Sequence, residues 1–355
     1  MRAEIDSAMS KVLESGRFLL GEQSRAFEAE FAAASGVDDA VAVASGTDAI
    51  ELALRAMEIG RGDEVVTQAN TCVPTVAAIA RAGATPVLCD IEPQAATMDP
   101  ESLARAIGPR TRAVVPVHLY GQCADMEEIL AIAEERGVAV VEDCAQAHGA
   151  LYGERNAGAI GTIGCFSFYP TKNLGALGDA GAVVMSDAQL AERVRLLRHY
   201  GQRNRHQHVA AGLNSRIDEL QAAILRAKLP YLEASNRRRA EIAAVYARAL
   251  EGTPVKPLRV LKGRRHVFHL YVVEAPDRNA FRSQLESRGV STLIHYPQPI
   301  HGLGPYRTLA NGPVPLSNAE RLAKRIASLP LYPELTPDEV DSVATAASES
   351  AALAA

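Results

Sequence analysis

An amine that does covalent chemistry must first lose its charge, and one lysine here sits where that is favoured. Lys172 lies in Cys165-Phe166-Ser167-Phe168-Tyr169-Pro170-Thr171-Lys172-Asn173-Leu174-Gly175, a Ser/Thr/Gly turn flanked by aromatic and apolar residues. Desolvation lowers an amine's pKa and makes it a competent nucleophile. Gly175, Gly178 and Gly181 let the backbone approach a ligand closely. A surface lysine in a loop has the same local composition, so the case for Lys172 depends on its companions. The order Gly-x-x-x-x-Gly-Lys of a phosphate-binding P-loop is absent.

Three companions stand out. In Val140-Val141-Glu142-Asp143-Cys144-Ala145-Gln146-Ala147-His148-Gly149, carboxylates stand where an apolar strand ends. An unpaired buried charge is costly, so such a carboxylate needs a partner. A protonated pyridine nitrogen supplies one, and pyridoxal-phosphate (PLP) enzymes use this pairing to make the ring an electron sink. Two successive carboxylates can instead hold a metal, but His148 lacks companion ligands at a familiar spacing, and no metal is expected. In Ala44-Ser45-Gly46-Thr47-Asp48-Ala49 a strand gives way to a helix. The exposed amides of the Gly46 turn, the positive helix end and the Thr47 hydroxyl suit a phosphate; a simple N-cap explains the same residues. Finally, Gly201-Gln202-Arg203-Asn204-Arg205-His206 and Gly212-Leu213-Asn214-Ser215-Arg216 interrupt two helical stretches. They read either as a solvated loop capped at Ser215 or as an arm offering Asn214 and cations to an anion.

The elements that position these residues alternate. Apolar runs at Ala40–Ala44, Glu64–Thr67, Thr85–Cys89, Ala113–Val117 and Val138–Glu142 predict strands. Thr47–Met57, Pro74–Ala82, Pro100–Ile107 and Met126–Arg136 have helical spacing. The pattern predicts an α/β fold with a mainly parallel sheet, whose ligands sit beyond the carboxyl ends of strands. A helical region over Arg216–Leu250 is divided at Pro230. Beyond Gly252 come strands near His266–Val273 and Val290–His295 and a helix near Asp277–Arg288. A Pro/Gly-rich loop, Pro297–Pro315, and helices near Leu316–Ser328 and Thr336–Ser348 follow. The Ala-rich end is expected to fray after Ala344.

A chain of 355 residues exceeds what one hydrophobic core usually serves, so two domains are expected, 1–235 and 236–355. A net charge of −5 without long basic runs argues against nucleic-acid or membrane partners. The N-terminus is too polar for a secretory signal and no stretch has transmembrane length. Cys72, Cys89, Cys123, Cys144 and Cys165 form no CxxC pair and read as free, mostly buried thiols, so the protein reads as cytoplasmic.

From Gly21 to the last helix the sequence resembles the sugar aminotransferases of the DegT/DnrJ/EryC1/StrS family. Glu142–Gly149, Ser167–Asp179 and Gly212–Ala223 match three of the family's signature stretches, in order. The resemblance implies PLP fold type I (aspartate-aminotransferase-like), with a seven-stranded-type sheet in the large PLP-binding domain and a smaller C-terminal α/β domain. It implies that Lys172 carries the cofactor as a Schiff base and that Asp143 pairs with the pyridine nitrogen. Gln146 would lie against the ring's 3-oxygen, while Thr47, the Asp48 amide and Ser167 would hold the phosphate. Asn214 would reach that phosphate from the other subunit of a homodimer with shared active sites. Where the family usually stacks an aromatic residue on the ring, this chain has Cys72 in Asn70-Thr71-Cys72-Val73.

The same resemblance implies transfer of an amino group, usually from L-glutamate, to a ketone on a nucleotide-linked sugar. The run His295-Tyr296-Pro297-Gln298-Pro299-Ile300-His301 and the variant Phe168-Tyr169-Pro170 are similar to members acting at C-3, most often on dTDP sugars. His295, Tyr296 and His301 offer hydrogen bonds suited to sugar hydroxyls; alternatively, the prolines only shape a loop. Action at C-4 is the nearest alternative. Related sugar dehydratases replace the lysine by histidine, and a non-catalytic regulator would be expected to lose Lys172, Asp143 or Gln146; all three are present.

Overall fold

The computed structural model describes residues 1–353. Seven five-residue strands form its central sheet: β1 (Asp39–Val43), β2 (Glu64–Gln68), β3 (Thr85–Cys89), β4 (Thr111–Val115), β5 (Ala139–Asp143), β6 (Ile163–Ser167) and β7 (Gly181–Met185). Their order is β1-β7-β6-β5-β4-β2-β3. Every pair from β6 to β3 is parallel, and β7 runs antiparallel to both its neighbours. The sheet is thus mainly parallel, of the PLP fold type I.

Side-chain alternation splits the core between the two faces of this sheet. Ala40 and Ala42 of β1 join a core with Phe27, Phe31 and Phe166, whereas Val41 and Val43 join a second with Ile50, Leu52 and Ile79. Covering helices supply those partners other than Phe166, which lies on β6. α1 (Arg2–Ser15) and α2 (Glu22–Ser35) precede β1; α3 (Gly46–Ala56), α4 (Val73–Arg81), α5 (Pro100–Ala106) and α6 (Met126–Arg136) link the parallel strands. α7 (Ala188–Leu197) follows β7.

β6 and β7 lie outside the sequence-predicted strands. Both are short, glycine-containing and flanked by the glycine-rich lysine turn, so turn signals mask them. The long helical region begins at Glu219 and breaks as expected: α8 (Glu219–Lys228), a 3₁₀ turn over Leu229–Tyr231 containing Pro230, then α9 (Leu232–Ala249).

The C-terminal part departs more from expectation. Three short strands, β8 (Lys256–Pro257), β9 (Tyr271–Glu274) and β10 (Ile326–Leu329), pair antiparallel in the order β8-β9-β10. With α9, α10 (Arg278–Ser287), α11 (Ser317–Arg325) and α12 (Pro337–Leu353) they enclose a third core around Tyr246, Phe281 and Leu329. The expected strand His266–Val273 forms only from Tyr271, because Phe268 adopts a left-handed φ of 45°. The expected strand Val290–His295 contributes a single bridge, Leu293 to Ser328. The helix expected to reach Ser328 ends at Arg325, and four buried residues continue as β10. Nor does the helical end fray after Ala344: α12 runs to Leu353, with Ala346, Ala347, Ser350 and Ala351 buried. Small side chains here permit close helix packing rather than marking a loose end.

Candidate active site

Three strand ends converge. At the first, β1 gives way to α3, and Ser45 caps the helix by accepting from the Asp48 amide at 3.1 Å. The amide expected to bind an anion therefore already has a partner, and the simple capping reading holds for that donor. The Asp48 carboxylate is also committed, accepting from Ser215 Oγ at 2.8 Å and meeting Arg81 at 3.0 Å. Gly46 packs on the end of β6: a Cβ there would stand 2.5 Å from Ser167 Cβ. That contact brings Ser167 beside Gly46 and Thr47.

At the second, β5 ends in Glu142 and Asp143, which alternation sends to opposite sides. Glu142 accepts from His118 Nε2 (2.8 Å) and from the amides of Gly158, Ile160 and Gly161 (2.9, 2.7 and 2.6 Å). Burial alone would raise its pKa, but His118 and those amides outweigh it and hold the carboxyl below its ordinary value. His118, Glu142 and Cys144 cluster tightly enough to suggest metal ligands, yet the two Glu142 oxygens already take four donors from the chain itself. Asp143 is the opposite case. Burial raises its pKa, and the Thr75 hydroxyl (2.8 Å), the Ala145 amide (3.1 Å) and the charge of Lys172 oppose it only in part. Such a carboxylate lacks a cation.

At the third, the chain leaving β6 turns back through Lys172, whose amide donates to the Tyr169 carbonyl at 2.8 Å. Burial pushes the Lys172 amine below its ordinary pKa, opposed by Asp143 and Cys72. Close by, Gln146 Oε1 accepts from the Tyr120 amide at 2.7 Å and its Nε2 donates to the Tyr296 hydroxyl at 3.2 Å. The Tyr120 hydroxyl donates to the His295 carbonyl, and His295 Nδ1 lies 2.8 Å from Ser328 Oγ.

These groups line one cavity of about 390 Å³, within the usual size range of small-molecule sites. Gly46, Thr47, Cys72, Asp143, Gln146, Ser167, Lys172, His295 and Tyr296 all contribute. Three expected residues do not line it. Asp48 turns to Ser215 and Arg81. Asn214 is exposed, with its Oδ1 accepting from Arg216 at 2.6 Å. His301 is buried with Nε2 3.0 Å from Glu320, so it is not a free donor at this cavity. Conversely, Thr75, Tyr169 and His269 line the cavity without having been singled out as site residues. Thr75 could be found one helical turn after Thr71, to whose hydroxyl it hydrogen-bonds at 2.7 Å; His269 carried no local signal. A wider cavity of about 780 Å³ adjoins, sharing Thr171, Lys172, His269, Leu270 and His295.

The residues fit PLP. Asp143 needs a cation and a pyridinium provides one; Lys172 has the depressed amine; Thr47 and Ser167 stand beside a helix N-terminus, where a phosphate is favoured.

Comparison with known proteins agrees. The DegT/DnrJ/EryC1/StrS aminotransferase family pattern matches residues 1–348. The dTDP-3-amino-3,4,6-trideoxy-alpha-D-glucose transaminase of Streptomyces venezuelae is 47% identical over 94% of this chain and 89% of that protein. A UDP-N-acetyl-3-dehydro-alpha-D-glucosamine 3-aminotransferase of Acidithiobacillus ferrooxidans is 44% identical over 97% of this chain and 93% of that protein. The crystal structure of S. venezuelae DesV with a ketimine intermediate superposes with a TM-score of 0.96 at 46% identity, covering 99% of this chain and 95% of that one.

Proposed function

This chain belongs to the DegT/DnrJ/EryC1/StrS aminotransferase family, and we propose that it aminates C-3 of a dTDP-linked 3-keto-deoxyhexose with L-glutamate as donor. It is a PLP-dependent nucleotide-sugar aminotransferase. The observation that carries the reading is the pairing, in one cavity, of an amine lowered by burial with a carboxylate raised by it. When bound, PLP supplies a ring that takes up the electron pair left when a C–H bond beside nitrogen breaks.

The chain's own residues do the rest. When the cofactor is bound, Lys172 would hold it through its side-chain amine and, with that amine free, would carry the proton to and from the substrate carbon. Asp143 would pair as a carboxylate with the ring nitrogen and hold a proton on it. Thr47 and Ser167 would hold the phosphate, and Gln146, fixed by the Tyr120 amide, would lie against the ring oxygen. Cys72, at the start of α4 and next to the Tyr296 hydroxyl, would stand beside the ring. His295 and Tyr296 hold the sugar hydroxyls; a site built on such pairs rejects a mismatched sugar strongly.

The protein works as a cytoplasmic homodimer in which exposed Asn214 serves the partner's phosphate site. We place the boundary between large and small domains near residue 235, within α9. There Asn236 still bonds the His148 carbonyl at 2.9 Å, while Ile242 and Tyr246 enter the C-terminal core.

Side-by-side assays with 3-keto and 4-keto dTDP-sugars and glutamate, with the new amine located by NMR, test the reaction. Nitrogen at C-3 with release of 2-oxoglutarate is expected; nitrogen at C-4 overturns the assignment.

A further inference from the structure

Asn214 is exposed, yet the chain around it is fixed on two sides. The segment is laced to the end of α7. The Leu213 amide donates to the Leu197 carbonyl at 2.7 Å, the Tyr200 amide to the Leu213 carbonyl at 2.9 Å and the Ser215 amide to the Arg198 carbonyl at 2.9 Å. Ser215 Oγ also accepts from the Ala44 amide at 3.1 Å and donates to Asp48 at 2.8 Å, which ties the segment to the turn before α3.

Arg216 then fixes the side chain. Its Nη2 donates to Asn214 Oδ1 at 2.6 Å. A guanidinium has donors and no acceptor, so the amide oxygen must face it and the amide nitrogen turns away. Arg216 is held in its turn, with Nη1 3.2 Å from His199 Nδ1. By the same argument that nitrogen accepts, and the imidazole proton sits on Nε2. Burial, and then the charges of Arg216, Arg198 and His208, lower the His199 pKa and keep this neutral acceptor. The guanidinium lies over the Tyr200 ring, 5.6 Å from its centroid, and its Nε is buried. It therefore works on side chains of its own subunit, and Asn214 is what it leaves pointing outward.

We propose that Arg216 is a positioning residue for the neighbouring subunit's cofactor site: it holds Asn214 with the amide N–H groups outward, as donors to the phosphate there, and His199 holds Arg216. The proposal rests on the reading of Asn214 as a residue that serves the partner's phosphate. An amide left to rotate would present its oxygen as readily as its nitrogen, and an oxygen repels an anion. Setting the orientation in advance removes that competing state before the cofactor arrives.

The test uses the full-length dimer and reads the PLP concentration at which half of Lys172 is fixed by borohydride, quantified by peptide mass. Asn214→Ala removes a hydrogen bond to a charged group and should raise that concentration at least roughly tenfold. Arg216→Met leaves the donor but not its aim. It should raise the value about two- to tenfold, as for one side chain left to be ordered on binding. Added to Asn214→Ala, Arg216→Met should raise it no further. Additive losses, or no rise in Arg216→Met alone, overturn the proposal; should that variant fold poorly, Arg216→Ala carries the same test. A purely structural defect stays in the subunit that carries it, so hybrids with Lys172→Ala discriminate further. In such a hybrid the one lysine-bearing pocket receives its arm from the Lys172→Ala subunit. Half-loading should return to the wild-type value for Arg216→Met and Asn214→Ala alike. Recovery with only one of the two rejects the role of Arg216. Recovery with neither, or an unchanged value in Asn214→Ala itself, rejects the underlying reading of Asn214.

Discussion

Asp143 shows how far one residue's surroundings can define a site. Its oxygens receive one hydroxyl and one amide, no arginine touches it, and burial leaves its pKa raised. Glu142 next to it is equally buried but receives four donors and is lowered. One carboxylate is a finished structural knot, and the other waits for a charge. Reading Glu142-Asp143 as a pair could not separate these roles, because the separation comes from Gly158, Ile160, Gly161 and His118, remote from them in sequence. Asp143→Asn keeps the shape but removes the charge that, on the proposed role, would hold a proton on the ring nitrogen. Turnover should fall at least roughly a hundredfold, as for loss of one strong electrostatic contact. Single-turnover kinetics at saturating cofactor measure this, and near-wild-type rates would dismiss the role of Asp143.

At the scale of elements, the site is made by strand ends and close turns. Helices α3 to α6 and strands β1 to β5 were legible because apolar runs and capping residues alternate regularly. β6 and β7 were not, since they flank the glycine-rich lysine turn and contain glycine themselves; Gly164 and Gly181 each lie where other backbone would stand 2.4 Å from an added Cβ. The C-terminal strands are two to four residues long, at or below the shortest run over which alternation can be recognised. Gly46 offers the sharpest test of how these turns are joined. Gly46→Ala would push a methyl against Ser167 and should destabilise the fold by about 1–3 kcal/mol. The control Gly108→Ala meets only ordinary contact at 3.5 Å and should stay within about 0.5 kcal/mol. Denaturant midpoints of the two variants, compared with wild type, decide; equal midpoints would contradict the packing described.

At the scale of the whole molecule, the cavity draws on both ends of the chain: Thr47, Asp143 and Lys172 come from the region of the large sheet, His269, His295 and Tyr296 from beyond α9. That convergence explains the uneven legibility of the site. Residues held in contiguous motifs were readable from their neighbours, while His269 owes its position to tertiary packing alone. His301 is placed by such packing too: its Nε2 meets Glu320, a partner its motif does not contain. Among the described residues no helix is long and apolar enough to cross a membrane. The central claim, that Lys172 bonds PLP within this cavity, is tested most directly by borohydride reduction of the PLP-loaded protein followed by peptide mass analysis. The account predicts a yellow protein that bleaches on reduction, with the reduced cofactor fixed on the peptide containing Lys172 and no fixation in Lys172→Ala. A colourless protein after loading, or cofactor fixed to a different lysine, would contradict it.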